Sequence, residues 1–173
     1  MKKILAMLLV AILAFSATAF AATYRHDDDI AFEYDENAIE ITSEVHNDDE
    51  HRIVMGYKEK AWGDGYITIQ LADLPDGQGF PTREELAESM GIAADAFESM
   101  PTWANFKDVV TTSATTEGLT ETIFIAPVYD HDGEVEDILT VNIGGEPIED
   151  EAEAMASADF ASEVVDTLKV IDD

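Results

Sequence analysis

Cysteine is absent from this chain of 173 residues, and basic residues are scarce. Without cysteine the chain can form no disulfide, carry no lipid on a cysteine and offer no thiolate to a metal or a substrate. Its stability must therefore come from a packed core, which a domain of about 150 residues is large enough to supply.

The shortage of positive charge is the strongest global signal. The chain has 9 Lys and Arg against 38 Asp and Glu, a formal net charge of −29. Such a surface repels nucleic acid and anionic lipid, so neither is an expected partner. It suits either a salty, cation-rich setting or the binding of cations. Apolar residues make up 46% of the chain, and this content argues against disorder.

The first residues have the organisation of a secretory signal peptide. Lys2-Lys3 gives a positive start, an apolar run covers 4–15, and Ala19-Phe20-Ala21 fits the small-x-small cleavage rule. The apolar run is shorter than the ~20 residues of a membrane-spanning helix. We therefore expect residues 1–21 to be a cleaved signal peptide and residues 22–173 to form one acidic domain with no further membrane span. The expected location is the periplasm or the extracellular medium.

Alternation of polar and apolar residues predicts strands in both halves of the chain. Residues 23–29 are expected to be a polar lead-in. Four runs then form an antiparallel meander in the simplest interpretation, namely 30–34, 38–45, 52–58 and 66–71. Further strands are predicted at 106–112, 119–128 and 135–141. Asp132-Gly133 predicts a two-residue hairpin turn, because both central positions of such a turn need a positive φ.

Helical periodicity predicts the remaining elements. Thr82 and Glu85 form a capping box for a short helix over 84–90, which Gly91 ends. A second helical face is predicted up to Pro101, carrying Ala93, Phe97 and Met100. A final helix begins near Ser157 and buries Phe160, Val164 and Leu168. The sum predicts an α+β domain, with an antiparallel sheet packed with helices.

The order of these elements resembles that of the PsbP-like superfamily. The resemblance lies in the opening strand Ile30-Ala31-Phe32-Glu33-Tyr34, the helix start Thr82-Arg83-Glu84-Glu85-Leu86, and the closing segment from Phe160 to Val170. The superfamily includes a photosystem extrinsic subunit, a Ran-binding nuclear import factor and many exported bacterial proteins. The resemblance implies an α/β/α sandwich that binds a partner and has no active site common to its members. It provides no ligand residue at a numbered position here.

Several enzyme classes lack their motifs in this sequence. No serine lies in a Gly-x-Ser-x-Gly elbow, and there is no phosphate-binding loop ending in Gly-Lys-Ser/Thr. Gly63-x-Gly65 and Gly77-x-Gly79 are isolated pairs in turns, which do not make a dinucleotide site. The sequence therefore predicts a non-enzymatic protein. No catalytic residue, cofactor-binding residue or cofactor is assigned.

Two polar segments contain residues that can bind metals. His46-Asn47-Asp48-Asp49-Glu50-His51 has two imidazoles and three carboxylates, and His26 is followed by three aspartates at 27–29. Neither segment has the ligand spacing of a known local zinc motif. Exposed acidic turns that contain histidine are the favoured interpretation, so no metal ligand is assigned.

Two other features have a functional and a structural interpretation. Asp130-His131-Asp132-Gly133-Glu134 suggests calcium, but counting back from Gly133 puts Leu139 where an EF-hand needs its glutamate. A hairpin turn explains that segment better. Trp62 and Trp103 lie beside turns, where they line a ligand groove or cover the core. The second interpretation is favoured.

The leading functional hypothesis is an exported, non-enzymatic binding domain that engages a protein partner or a cationic ligand. The alternative is a protein that binds divalent cations at diffuse carboxylate and histidine sites. A hydrolase without an identifiable site is the third hypothesis.

Overall fold

The computed structural model describes residues 21–26, 29–47, 50–58, 65–75, 77–116, 119–146 and 151–171. Almost all of the predicted signal peptide lies outside these residues. Within them, no helix combines the length and the apolar character needed to cross a membrane.

Ten strands make up most of the described chain. They are β1 (Ala21–His26), β2 (Ile30–Asp35), β3 (Ile39–His46), β4 (Glu50–Tyr57), β5 (Tyr66–Asp73), β6 (Glu98–Trp103), β7 (Phe106–Thr116), β8 (Leu119–Tyr129), β9 (Val135–Gly145) and β10 (Lys169–Val170). The order β1-β2-β10 forms a small antiparallel sheet. The order β3-β4-β5-β9-β8-β7-β6 forms a larger one, in which every neighbouring pair is antiparallel.

Two α-helices and a 3₁₀ turn complete the described elements: α1 (Arg83–Met90), the turn Ala94–Ala96 and α2 (Glu151–Thr167). The capping box predicted for α1 is confirmed. The Thr82 hydroxyl accepts from the Glu85 N–H, and the Thr82 N–H donates to the Glu85 carboxylate at 2.8 Å. Gly91 closes α1 with φ 69°, a value that glycine adopts without a steric penalty.

Both sheets and α2 share one hydrophobic core. β2 contributes Ile30 and Phe32, α2 contributes Val164, and Leu168 follows directly after α2. Each of these four side chains is at most 1% exposed. Phe160 is only half-buried and packs against the core. The predicted burial is therefore confirmed for Val164 and Leu168, although Leu168 lies one residue beyond the helix, and is incomplete for Phe160.

The predicted fold class is wrong. Two antiparallel sheets define a β-rich fold, not an α+β domain or an α/β/α sandwich with helices packed on a sheet. One cause is β1, since the polar residues 23–29 predict a lead-in but 21–26 pair with β2 along their whole length. The other is β6, because the apolar spacing over 93–101 fits a helix but Glu98–Trp103 forms the edge strand beside β7.

The β8–β9 hairpin also differs from the predicted two-residue turn. Residues 130–134 connect the strands, and within this connection only Gly133 has a positive φ, of 83°. The Asp130 carboxylate accepts from the N–H groups of Asp132 at 2.9 Å and Glu134 at 2.8 Å. The Asp130 side chain therefore stabilises a longer loop, because its carboxylate accepts hydrogen bonds from the loop backbone.

Candidate metal centre

The β1–β2 connection supplies two polar side chains, His26 and Asp29. Along β1, Thr23 and Arg25 are exposed, whereas Tyr24 and His26 are half-buried. The Asp29 N–H donates to the His26 carbonyl at 3.1 Å. This short reversal holds the Asp29 carboxylate near the His26 ring.

The β3–β4 hairpin supplies His46 and His51. These two residues form the last cross-strand pair before the turn, which the Asn47 N–H closes by donating to the Glu50 carbonyl at 3.0 Å. Directly opposed residues of an antiparallel pair project to the same face, with Cβ atoms about 5 Å apart. The ring centroids of His46 and His51 are accordingly 4.9 Å apart.

Packing of the two sheets brings these two turns together. The His26 ring lies 4.4 Å from the His46 ring and 4.6 Å from the His51 ring, measured between centroids. Asp29 Oδ2 lies 3.0 Å from His46 Nε2 and 3.4 Å from His51 Nδ1. One ligand atom from each of His26, Asp29, His46 and His51 falls within 4.8 Å of all the others. We call this group the His₃Asp cluster.

The His₃Asp cluster is buried on one side and open on the other. The His51 side chain is 2% exposed, whereas the His46 and Asp29 side chains are 45% and 38% exposed. A cavity of about 280 Å³ opens beside the cluster, lined by Asp29, His46, Asn47, Glu50, His51, Leu71, Asp73 and Asp137. The cluster therefore has one fixed wall and one side that small solutes can reach.

Glu44 and Tyr24 lie behind the cluster. The Tyr24 hydroxyl donates to Glu44 Oε1 at 2.6 Å, and His51 Nε2 lies 3.4 Å from that oxygen and 3.2 Å from the Tyr24 hydroxyl. The hydrogen bond from Tyr24 lowers the pKa of Glu44, although partial burial opposes it. Burial lowers the pKa of His51, and the neighbouring histidines lower it too, although the contact with Glu44 opposes this shift.

Two imidazole nitrogens of the cluster have no hydrogen-bond partner. They are Nδ1 of His26 and Nδ1 of His51, both buried. His51 Nδ1 is within 3.4 Å of Asp29 Oδ2 but without the alignment of a hydrogen bond. An unsatisfied buried polar atom costs about 1–3 kcal/mol, so a ligand that used these lone pairs would remove a penalty.

The spacing and the atom types fit a transition-metal ion. A tetrahedral centre with bonds of about 2.0–2.1 Å spaces its ligand atoms about 3.3 Å apart. The two Asp29 distances lie on either side of this value. Imidazole nitrogen suits zinc, copper, nickel and iron, whereas calcium and magnesium prefer shells made only of oxygen.

A pair of carboxylates lines the same cavity. Asp73 and Asp137 are direct cross-strand partners on β5 and β9. Burial, together with the neighbouring carboxylates of Asp73 and Glu136, raises the pKa of Asp137 to about 6. The pair adds negative charge next to the His₃Asp cluster, which favours the approach of a cation.

Other residues named from the sequence lie elsewhere. Asp27, Asp28, Asp48, Asp49 and Trp62 fall outside the described residues. Trp103 stacks on Phe124 with centroids 3.9 Å apart, and both rings pack against the core. Asp130, His131 and Asp132 form a second carboxylate–histidine group, but it is an exposed loop ordered by its own backbone contacts.

The sequence alone indicates no metal ligand, because its two histidine segments are separate and neither has a known metal-binding spacing. The structure brings one residue pair from each segment into a single cluster. Glu44 and Tyr24 received no role from the sequence. Strand alternation could have indicated both residues. It puts Tyr24 on the same side of β1 as His26, and Glu44 on the same side of β3 as His46.

Comparison of the chain with protein-family models, with curated proteins and with solved structures gives no match. The resemblance to the PsbP-like superfamily therefore stays a prediction.

Proposed function

We propose that this protein binds one divalent transition-metal ion, with zinc the first candidate, through His26, Asp29, His46 and His51. The observation that carries the proposal is the convergence of three imidazoles and one carboxylate from two sheets, with two buried nitrogens lacking any partner. This is a discrete site, unlike the diffuse cation binding considered from composition alone.

Metal-free alternatives explain the cluster less well. Three protonated imidazoles at these ring distances would repel one another, and burial lowers the pKa of His51. Neutral imidazoles leave Nδ1 of His26 and Nδ1 of His51 buried without a hydrogen-bond partner. A cation that accepts these lone pairs resolves both problems at once.

The shape of the site favours an exchangeable ion over a permanently enclosed one. Two ligands, His46 and Asp29, are well exposed, and the adjoining cavity gives water access to the ion. Structural zinc sites are closed by four protein ligands, often thiolates. The formal charge of −29 raises the local cation concentration around such an open site. We infer a role in holding or passing on a metal ion.

Isothermal titration calorimetry of the metal-free protein with zinc tests the proposal. We expect one ion per chain, and we expect His46→Ala to weaken binding by at least about tenfold, since a ligand is lost. His131→Ala is the matched control, because this fourth histidine lies in the β8–β9 loop outside the cluster. Affinity should fall between neutral pH and about pH 5, since protons compete for the imidazoles.

Two calorimetric outcomes would contradict the proposal. One is zinc binding that is equally strong in His46→Ala, His131→Ala and the unmodified protein. The other is calcium binding that is as tight as zinc binding and shows no saturation at one ion, which would instead indicate diffuse carboxylate sites.

We also propose that the protein is exported and that the signal peptide over residues 1–21 is removed. The support is the organisation of the sequence, namely a positive start, an apolar run and an Ala-Phe-Ala cleavage site. Mass spectrometry of the exported protein should give an N-terminus at Ala22 or Thr23, which leaves His26 in place. Intact Met1 in the exported fraction would refute the proposal.

A further inference from the structure

Three side chains converge on one oxygen of Glu44. The Tyr24 hydroxyl lies 2.6 Å from Glu44 Oε1, His51 Nε2 lies 3.4 Å from it, and His26 Nε2 lies 4.0 Å from it. Glu44 is therefore placed behind two of the three imidazoles, on the side away from their Nδ1 atoms.

The hydrogen-bond directions fix the proton on the His51 ring. Tyr24 has one hydroxyl proton, and its short contact with the carboxylate uses that proton. The Tyr24 oxygen can then only accept, and the ionised Glu44 can only accept. His51 Nε2, close to both oxygens, must therefore carry the N–H. A neutral imidazole has one N–H, so Nδ1 of His51 holds a free lone pair.

His26 has the same orientation. Its Nε2 faces the carboxylate of Glu44, and its Nδ1 is buried without a hydrogen-bond partner. A proton on Nε2 is favoured by the negative charge nearby. A proton on Nδ1 would be a buried donor with nothing to accept it, at a cost of about 1–3 kcal/mol.

We propose that Glu44 is a positioning residue that holds His26 and His51 as Nε2–H tautomers, so that both bind the metal through Nδ1. His46 would bind through Nε2 and Asp29 through Oδ2, the atoms that already lie 3.0 Å apart. This inference rests on the proposed metal-binding function and specifies how the ion is held. A carboxylate behind a ligating histidine fixes the orientation of the ring and strengthens the ligand, and its loss typically costs 10–100-fold in metal affinity.

Nuclear magnetic resonance of protein labelled with ¹⁵N at histidine tests the inference before any metal is added. Long-range proton–nitrogen spectra distinguish the two neutral tautomers. We expect His26 and His51 to be Nε2–H tautomers in the metal-free protein. On addition of cadmium-113, whose coupling to a bound nitrogen can be observed, the coupled nitrogens should be Nδ1 of both rings and Nε2 of His46.

Glu44→Gln tests the role of the carboxylate itself. We expect zinc affinity to fall 10–100-fold, with the tautomer populations of His26 and His51 becoming mixed. Glu40→Gln is the matched control. It makes the same change at another exposed position of β3, outside the His₃Asp cluster, and should leave both properties unchanged.

The possible failures are distinguishable. Coupling of cadmium to Nε2 of His26 and His51, or a Glu44→Gln variant with unchanged tautomers and affinity, would overturn this inference while leaving metal binding intact. No zinc binding by the unmodified protein would overturn the proposed function. The tautomers of the unmodified, metal-free protein decide the inference even if Glu44→Gln folds poorly.

Discussion

Zinc should raise the melting temperature of the metal-free protein by about 10 °C when its free concentration is a thousandfold above the dissociation constant. A ligand that binds only the folded state adds RT ln(1 + [L]/Kd), about 4 kcal/mol under this condition. In a domain of about 150 residues, each kcal/mol shifts the midpoint by about 2–4 °C. Differential scanning calorimetry with and without zinc measures the shift.

The rise in melting temperature on zinc addition should depend on the His₃Asp cluster and not on ionic strength. His51→Ala should abolish most of it, because His51 is the buried ligand, whereas His131→Ala should retain it. Calcium at equal ionic strength should give only the small gain expected from screening of the acidic surface. A zinc gain that persists in His51→Ala would show that the ion acts elsewhere.

The stabilisation should be concentrated where the two sheets meet. His26 and Asp29 belong to β1 and its connection to β2, whereas His46 and His51 belong to the larger sheet. One ion would therefore hold β1 against the β3–β4 hairpin. Hydrogen exchange should slow in β1 on zinc addition and should change much less in β7 and β8, which lie at the far side of the larger sheet.

Leu168→Ala should destabilise the protein by about 3 kcal/mol, with a fall in melting temperature of roughly 9 °C. The Leu168 side chain is completely buried in the core that α2 and the two sheets share, so its truncation leaves a cavity. Its carbonyl also accepts from the Asn105 side chain at 3.1 Å, which limits how far the backbone can move to fill that cavity. Chemical denaturation at neutral pH gives the free-energy change.

Asp159→Ala is the control for this substitution. Asp159 is exposed on α2, so its replacement should change the free energy of unfolding by less than about 0.5 kcal/mol. A similarly small effect of Leu168→Ala would mean that the end of α2 is a loosely attached tail. Phe160→Ala should cost less than Leu168→Ala, because Phe160 is only half-buried.

The sequence predicts local structure best where one short pattern decides it. The capping box of Thr82 and Glu85 specifies the start of α1 by itself, and the alternation over 66–71 specifies most of β5. The segment 93–101 fails because its apolar spacing fits a helix, while pairing with β7 makes it a strand. Such pairing depends on residues up to thirteen positions away, which local periodicity does not encode.

The His₃Asp cluster could not be predicted from the sequence, because it depends on how the two sheets pack. The sequence indicates that His46 and His51 flank a turn, and a hairpin would make them neighbours. Nothing in it places His26 beside them, because β1 and the β3–β4 hairpin belong to different sheets. Their approach follows from burial of Tyr24 and Phe32 against the common core, where the two rings stack with centroids 4.8 Å apart.

One edge of the larger sheet, formed by β6, bears on self-association. An exposed edge strand offers unpaired N–H and C=O groups on which a second chain can add a strand, the first step of many aggregates. β6 is such an edge, and it contains Pro101, which has no N–H to give. Glu98 at the start of β6 is exposed, and every copy of the chain carries a large negative charge. Like-charge repulsion between copies therefore disfavours strand addition along this edge.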